Sequence, residues 1–232
     1  MAGSGNREVP PPPQTSPLTA WGLALNSGWW KQLGQGMVLG AALMLAIFFT
    51  FQAWGALQVH GWASLDLGGR GGLLLAAAVG RFFFLSGLEE VLWRGFLLQE
   101  LRRRMPLLGA VALSSLGFSL SHLLNPHLHP LALVNLMLFG LWFALLFLRT
   151  GTVWLAWGAH FAYNLWESLI CSLPVSGKSG FHLLEVTLLG PPHLTGGDFG
   201  PEGGWICTGA LVLTVVLTAF LGRSPAPAEN QP

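Results

Sequence analysis

The sequence predicts an all-α, polytopic membrane protein, with about six transmembrane helices around an intramembrane polar site. Of its 232 residues, 52% are apolar and only 9% are charged, whereas about a quarter of the residues in a soluble domain are charged. The mean hydropathy is +0.57. Six apolar segments approach the roughly 20 residues that a helix needs to cross a bilayer. These observations argue against a soluble single domain and against a disordered chain.

The two ends of the chain differ in composition from its centre. Residues 1–20 are polar and contain four consecutive prolines, Pro10 to Pro13. They lack the order of a basic stretch followed by an apolar stretch that marks a signal peptide. We expect a disordered tail there and a second one at residues 224–232. A single transmembrane domain then occupies residues 36–222.

Glycine and proline turn signals separate most of the six predicted spans. The second span is longer than a perpendicular crossing requires, so we expect it to tilt or to protrude. A further apolar stretch, residues 181–189, is too short to cross, and we expect it to lie at the membrane interface or to re-enter the membrane. The predicted spans are residues 36–58, 71–101, 106–124, 131–148, 152–173 and 205–221.

The basic residues predict the orientation, because lysine and arginine accumulate on the cytoplasmic side of membrane proteins. In a six-span arrangement only Arg70 and Lys178 fall on one side. Those on the other side are Arg7, Lys31, Arg102, Arg103, Arg104, Arg149 and Arg223. We therefore expect a multi-pass protein of the cytoplasmic (inner) membrane with both termini in the cytoplasm. The net charge of +1 gives no sign of a nucleic-acid partner, which leaves the lipid bilayer as the expected environment.

Two carboxylates and an arginine interrupt the second predicted span. Glu90 and Arg94 are four residues apart, so they share a helix face and can form an ion pair. Glu89 is rotated by about 100° from Glu90 and has no obvious local partner. A lone carboxylate in apolar surroundings binds a proton readily, as a general base must. The alternative is a buried ion-pair cluster that only fixes helix packing.

Two further spans carry polar residues at a spacing of one helical turn. Phe118 and His122 share a face of the third span, and His160 and Asn164 share a face of the fifth. The second pair could stabilise an oxyanion or help to hold a metal ion. Each pair also has a plain interpretation as a packing or interfacial feature. Glu167 either lines the same path or is a solvated carboxylate at the end of the span.

The depths of these residues favour one shared site. At about 1.5 Å per residue, Glu89 lies roughly 20 Å from the Arg102 end of its span, and His122 lies roughly 24 Å from the start of its own. On the same scale His160 and Asn164 lie roughly 13 and 20 Å from the start of the fifth span. Three helices therefore place polar side chains within a slab about 10 Å thick, which independent packing features need not do.

These residues also match the motifs of a known family. The segments Glu89-Glu90-x-x-x-Arg94, Phe118-x-x-x-His122 and His160-x-x-x-Asn164 resemble the motif set of the CPBP family. That family includes the type II CAAX prenyl endopeptidases and the Abi proteins of bacteriocin processing or immunity. The resemblance covers about residues 76–170. All three motifs occur in order, on separate predicted spans.

The resemblance implies an intramembrane endopeptidase with defined residue roles. Glu89 and His122 would activate a water molecule, and His160 and Asn164 would stabilise the tetrahedral oxyanion. Glu90 and Arg94 would shape the site, with Phe118 as part of its motif. The family's enzymes have been described both as metalloproteases and as glutamate-type proteases. Zinc on Glu89, His122 and His160 is therefore one alternative, and metal-free activation of water is the other.

The sequence leaves the substrate open and allows two rival functions. The resemblance implies a membrane-associated protein or peptide, which could be prenylated, a lipoprotein or a C-terminal sorting signal as in the myxosortase branch. We expect it to enter laterally or from the cytoplasmic side. The first rival is a non-catalytic membrane immunity or scaffold protein with the same fold. The second is a small proton-coupled transporter, although the sequence has no internal repeat of the kind common in transporters.

Overall fold

The computed structural model describes residues 17–25, 27–64 and 69–221. Most of the two predicted tails, residues 1–16 and 224–232, lies outside this range. The described end of the first tail, Pro17–Ala20, forms one helical turn, α1. The Gly22 carbonyl that follows accepts a hydrogen bond from the backbone N–H of Val153 at 3.0 Å. Part of the predicted first tail is therefore helical, and the turn after it contacts the bundle.

Each predicted span coincides with a helix, which confirms the all-α membrane fold. The long second helix consists of three parts in series: α3 (Arg70–Glu90), a π-helical segment (Val91–Leu98) and α4 (Gln99–Arg102). The α7 helix (Trp154–Leu165) likewise continues into a π-helical turn, Trp166–Ile170. The remaining helices are α2 (Trp29–Ala53), α5 (Leu107–Leu120), α6 (Pro130–Thr150), α7 (Trp154–Leu165), α8 (Pro192–Thr195) and α9 (Trp205–Leu221).

Helix length and apolarity support membrane crossing most clearly for three of these elements. Within the described residues they are Trp29–Ala53, Arg70–Arg102 and Pro130–Thr150. The apolar helix Leu107–Leu120 and the one that begins at Trp205 are shorter than a full crossing. At about 1.5 Å per residue the 33-residue helix Arg70–Arg102 is roughly 50 Å long. It therefore exceeds a bilayer core of about 30 Å, as the sequence predicted.

The α2 and α7 helices pack against each other through glycine. A Cβ atom at Gly36 would lie 2.1 Å from the Leu155 carbonyl oxygen, and one at Gly40 would lie 2.0 Å from that of Ala159. Only glycine allows backbones to approach this closely, and small residues four apart are a common basis of helix association in lipid. Residue numbers rise together along the contact, so the two helices run parallel. This contact fixes the position of α7, which carries His160.

A short antiparallel β-sheet was not predicted. Strand β1 (Leu57–Trp62) pairs with β2 (Leu184–Leu188), with an irregularity between Val59 and Gly61. The central part of residues 181–189, for which we expected an interfacial or re-entrant position, is therefore a strand. Apolar and polar residues alternate along β2, and this alternation is a strand signal rather than a helix signal.

The two ends of the helix bundle differ in charge and covering. The cations at one end, which we call the basic end, are Lys31, Arg102, Arg103, Arg104 and Arg149. The other end is covered by residues 171–204, which we call the cap. The cap contains β2, α8 and two 3-10 turns, Gly197–Phe199 and Pro201–Gly203. The Asn135 side chain ties the cap to α6 by donating hydrogen bonds to the carbonyls of Glu202 and Gly204, at 2.7 and 3.1 Å.

Candidate active site

A fully buried ion pair lies at the centre of the bundle, as the four-residue spacing predicted. Nη1 of Arg94 is 3.0 Å from Oε1 of Glu90, and both side chains are 0% exposed. Nη2 of Arg94 donates to the Gly140 carbonyl at 3.1 Å. The same Glu90 oxygen is 2.9 Å from Nδ1 of His160. Glu90 thereby connects the second and fifth predicted spans, and breaking such a buried pair is costly.

Aromatic rings enclose this ion pair. The Arg94 guanidinium lies 4.6 Å from the ring centre of Phe118 and 5.2 Å from that of Phe143. The Phe143 ring stacks on the His160 imidazole, with 4.7 Å between centres and 18° between planes. The rings contact the Arg94 guanidinium by cation–π interactions and the His160 imidazole by stacking. Phe143 was not identified from the sequence, because it is one of many phenylalanines in an apolar helix.

Glu89 faces His160 from the adjacent position on the long helix. Its Oε2 atom is 3.9 Å from Nε2 of His160. The Glu89 side chain is 34% exposed, but Oε2 itself is buried and has no hydrogen-bond partner among the described residues. Glu89 and Glu90 are the last residues of α3 before the π-helical segment, and their carboxylates approach opposite nitrogens of the His160 imidazole. Wider π turns often occur at functional sites.

His122 lies just past the end of α5 rather than within a helix. Its Nδ1 atom is 3.0 Å from the Phe118 carbonyl oxygen and 3.2 Å from Oγ of Ser121. A carbonyl can only accept, so the Phe118 contact assigns the hydrogen to Nδ1 and leaves Nε2 available. The Phe118 ring lies 5.1 Å from the imidazole centre. Phe118 therefore contacts His122, His160 and Arg94 together.

One cavity of about 320 Å³ brings the four proposed catalytic residues together. Glu89 reaches it from α3, His122 from the turn after α5, and His160 and Asn164 from α7. Of the supporting residues, Phe118 also lines the cavity, while Glu90 and Arg94 lie behind it and contact it through His160 and Phe118. The convergence of three helices on one slab is therefore present in the structure.

Glu202 of the cap also lines the cavity, and sequence reasoning missed it. Its side chain is buried, and Oε2 accepts hydrogen bonds from the backbone N–H of Ser176 at 2.8 Å and from Oγ of Ser176 at 2.5 Å. Burial raises the pKa of Glu202, while the Ser176 bonds and the facing His122 and His160 act in the opposite direction. A glutamate in a proline- and glycine-rich loop carries no periodic signal that could have identified it.

Glu167 fits neither of its two predicted roles, a residue that lines the cavity or a solvated carboxylate at the end of its span. The side chain is 0% exposed, so it is not a solvated carboxylate. Both carboxyl oxygens are without a hydrogen-bond partner within the described chain, and Glu167 is not among the described residues that line the cavity. The π-helical turn Trp166–Ile170 departs from regular helix geometry at this point. The one-turn spacing from Asn164 was therefore a poor guide to the direction of the side chain.

The described residues do not form a three-ligand metal site. No group of three or more His, Cys, Asp or Glu side chains in residues 17–25, 27–64 and 69–221 is arranged to hold a metal ion. Zinc on Glu89, His122 and His160, considered from the sequence, stays a prediction. Nδ1 of His122 contacts the Phe118 carbonyl and Nδ1 of His160 contacts Glu90, so either histidine would have to bind a metal ion through Nε2.

Comparison with protein families identifies the segment that carries these residues. Residues 70–166 match the family model described as type II CAAX prenyl endopeptidase Rce1-like. This match supports membership of the segment in the CPBP family. The comparison with curated proteins and the comparison with solved structures each give no match. The CPBP-family segment contains Glu89, His122, His160 and Asn164, whereas Glu202 and the rest of the cap lie outside it.

The match to a protease family supports a peptidase activity toward a peptide or protein in a membrane setting. The helices of the CPBP-family segment and its surroundings agree with a multi-pass membrane protein.

Proposed function

We propose that the chain is an intramembrane endopeptidase that hydrolyses a peptide bond in a membrane-associated protein or peptide by means of an activated water molecule. One observation carries this proposal. A buried, unpartnered Glu89 oxygen lies 3.9 Å from Nε2 of a histidine whose other nitrogen is already fixed by Glu90. In a cavity large enough for a peptide group, this places a base beside a preorganised hydrogen-bonding partner.

Glu89 acts as the general base in this mechanism. Oε2 of Glu89 and Nε2 of His160 are 3.9 Å apart, so one water molecule can form hydrogen bonds with both atoms. As the water oxygen attacks the carbonyl carbon, its proton passes to the Glu89 carboxylate, and a C–O bond forms. His122, with Nε2 available, is the partner that helps to orient the water. The same proton is then delivered to the departing amine nitrogen as the C–N bond breaks.

His160 and Asn164 stabilise the oxyanion of the tetrahedral intermediate. The Glu90 carboxylate accepts from Nδ1 of His160, so Nε2 is the nitrogen that points toward Glu89 and the cavity. When protonated, that nitrogen donates a hydrogen bond to the developing negative charge. The Asn164 amide, one turn along α7, supplies a second donor. Donors fixed in place before the reaction stabilise the transition state without a reorganisation cost.

Glu90 and Arg94 position this machinery and do not react. Arg94 neutralises Glu90, and the two are held by Gly140 and the rings of Phe118 and Phe143. An isolated carboxylate at this depth would be costly. The mechanism derived from the described residues has no step that uses a metal ion.

The proposed setting is the cytoplasmic membrane with both termini in the cytoplasm. Support comes from the described cations, since five lie at the basic end, against Arg70 and Lys178 near the opposite end.

Mapping of new protein termini in cells tests the function. We expect a set of termini in membrane proteins that appears with the intact protein and disappears with Glu89→Gln. Glu100→Gln is the matched control, because Glu100 is an exposed carboxylate that pairs with arginines at the basic end. Identical termini with the intact protein and with Glu89→Gln would contradict the proposal. Full biological activity of the Glu89→Gln protein would favour the immunity or scaffold alternative.

A further inference from the structure

The proposed reaction site lies near the cap end of the bundle. Helices α2 and α7 run in parallel from the basic end to the cap end, as their glycine contacts show. Asn164 lies in the last turn of α7, and His122 follows the end of α5. Ser176 and Glu202, both from the cap, line the same cavity. The site is therefore covered by the cap and lies away from the arginine-rich end.

A packed layer closes the cavity toward the basic end. The cavity-lining residues of the long helix run from Arg81 to Trp93. The next inward-facing residues along it, Arg94 and Leu98, are 0% exposed. Phe147 of α6 is 0% exposed as well, and it packs in one cluster with Leu98. Within the described parts of the chain, a peptide could not reach Glu89 from the basic end without displacing this layer.

The cavity has its mouth between α3 and the cap. Arg81 on α3 is exposed, and so are Lys178 and Ser179 in the cap turn; all three line the cavity. The Glu89 side chain, which is 34% exposed, lines the same cavity. The cap turn is fixed in place, since the Gly177 N–H donates to the Phe199 carbonyl at 2.7 Å and Ser176 is bound to Glu202.

We propose that this mouth opens on the extracytoplasmic side of the membrane and takes the juxtamembrane segment of an exported, membrane-anchored polypeptide. The substrate part of the inference rests on the proposed peptidase function, and the side rests on the charge asymmetry of the two ends. Because the cap ends at the start of α9, the mouth is near the membrane surface, where a polypeptide leaves its anchoring helix and becomes extended. Of the two routes expected from the sequence, this proposal takes lateral entry, between α3 and the cap, and not entry from the cytoplasmic side.

Cysteine labelling of the full-length protein tests the side of the mouth independently of catalysis. Ser179→Cys places a thiol at the mouth, and Arg103→Cys places one at the basic end. The native Cys171 and Cys207 are 1% and 0% exposed, so the unmodified protein serves as the background. A membrane-impermeant maleimide added to intact spheroplasts should label Ser179→Cys at least about tenfold above background and Arg103→Cys only after permeabilisation. Labelling of Ser179→Cys only after permeabilisation would overturn the proposal.

The location of the cleavage sites tests the substrate class. Termini that depend on Glu89 should map to extracytoplasmic segments of membrane-anchored proteins, and a bulky maleimide on Ser179→Cys should block their formation while one on Arg103→Cys should not. Cleavage sites in cytoplasmic segments would overturn the inference and leave the peptidase function standing. Absence of any Glu89-dependent terminus, with the labelling as expected, would refute the peptidase function and the substrate class but not the side of the mouth.

Discussion

At the residue scale, the geometry of the candidate active site depends on Glu90 as much as on Glu89, the proposed base. Glu90 fixes one nitrogen of His160, and Arg94 balances its charge. The sequence predicted the ion pair from its spacing and singled out Glu89 because it had no partner. It could not predict that Glu90 also binds His160, because that contact joins positions 70 residues apart.

Replacing Arg94 by methionine should destabilise the protein strongly. The change leaves the buried Glu90 carboxylate without its arginine partner, a loss that costs about 3–5 kcal/mol. The thermal unfolding temperature of the purified protein in detergent should fall clearly. Arg104→Met is the matched control, because the exposed pair of Arg104 with Glu100 contributes about 0–1 kcal/mol. Equal unfolding temperatures for the two variants would refute the structural role given to Arg94.

Glu202 should make stability depend on pH. Because burial raises its pKa above the ordinary 4.5, the folded protein binds a proton at this site more readily than the unfolded chain does. The resulting stabilisation is present below about pH 4.5 and is lost as pH rises through the raised pKa. Glu202→Gln should therefore show a smaller decrease of unfolding temperature between acidic and neutral pH than the unmodified protein. Parallel pH profiles for the two proteins would contradict this assignment.

At the element scale, helices were predictable and strands were not. Apolar segments of near-crossing length located a helix in each of the six predicted spans. The sheet of β1 and β2 joins two loops more than a hundred residues apart. The π-helical segments also escaped prediction, since hydrophobic periodicity does not distinguish one widened turn from a regular helix. The error at Glu167 follows from the second of these segments.

The α2–α7 contact gives a test at this scale. Gly40→Ala would place a Cβ atom 2.0 Å from a backbone oxygen of α7, which no side-chain rotation relieves. We expect α7 to shift, His160 to leave Glu90, and both folding yield and cleavage to fall sharply. Gly34→Ala in the same helix is the control, because a Cβ there meets no described atom within 4 Å. That variant should be unchanged or more stable by about 0.5–1 kcal/mol.

A similar loss of yield and cleavage in the Gly34 and Gly40 variants would mean that α2 tolerates no substitution in general and that the close contact with α7 is not the cause.

At the scale of the whole molecule, the helices bring the proposed catalytic residues together and the cap closes the cavity over them. The convergence of Glu89, His122 and His160 could be estimated from the sequence because straight helices convert residue count into depth. The position of the cap could not, because its course depends on tertiary contacts such as those of Asn135 with Glu202. Sequence reasoning consequently missed the cap's part in the cavity.

The central claim is that Glu89 removes a proton from the attacking water, and a rate measurement on purified protein tests it most directly. A peptide that spans a cleavage site found by terminus mapping would be supplied to the intact protein and to Glu89→Gln in lipid nanodiscs. We predict that Glu89→Gln lowers kcat/KM by at least about 10²–10⁴ while the thermal unfolding temperature stays within a few degrees. Cleavage by Glu89→Gln at a rate close to that of the intact protein would contradict the account.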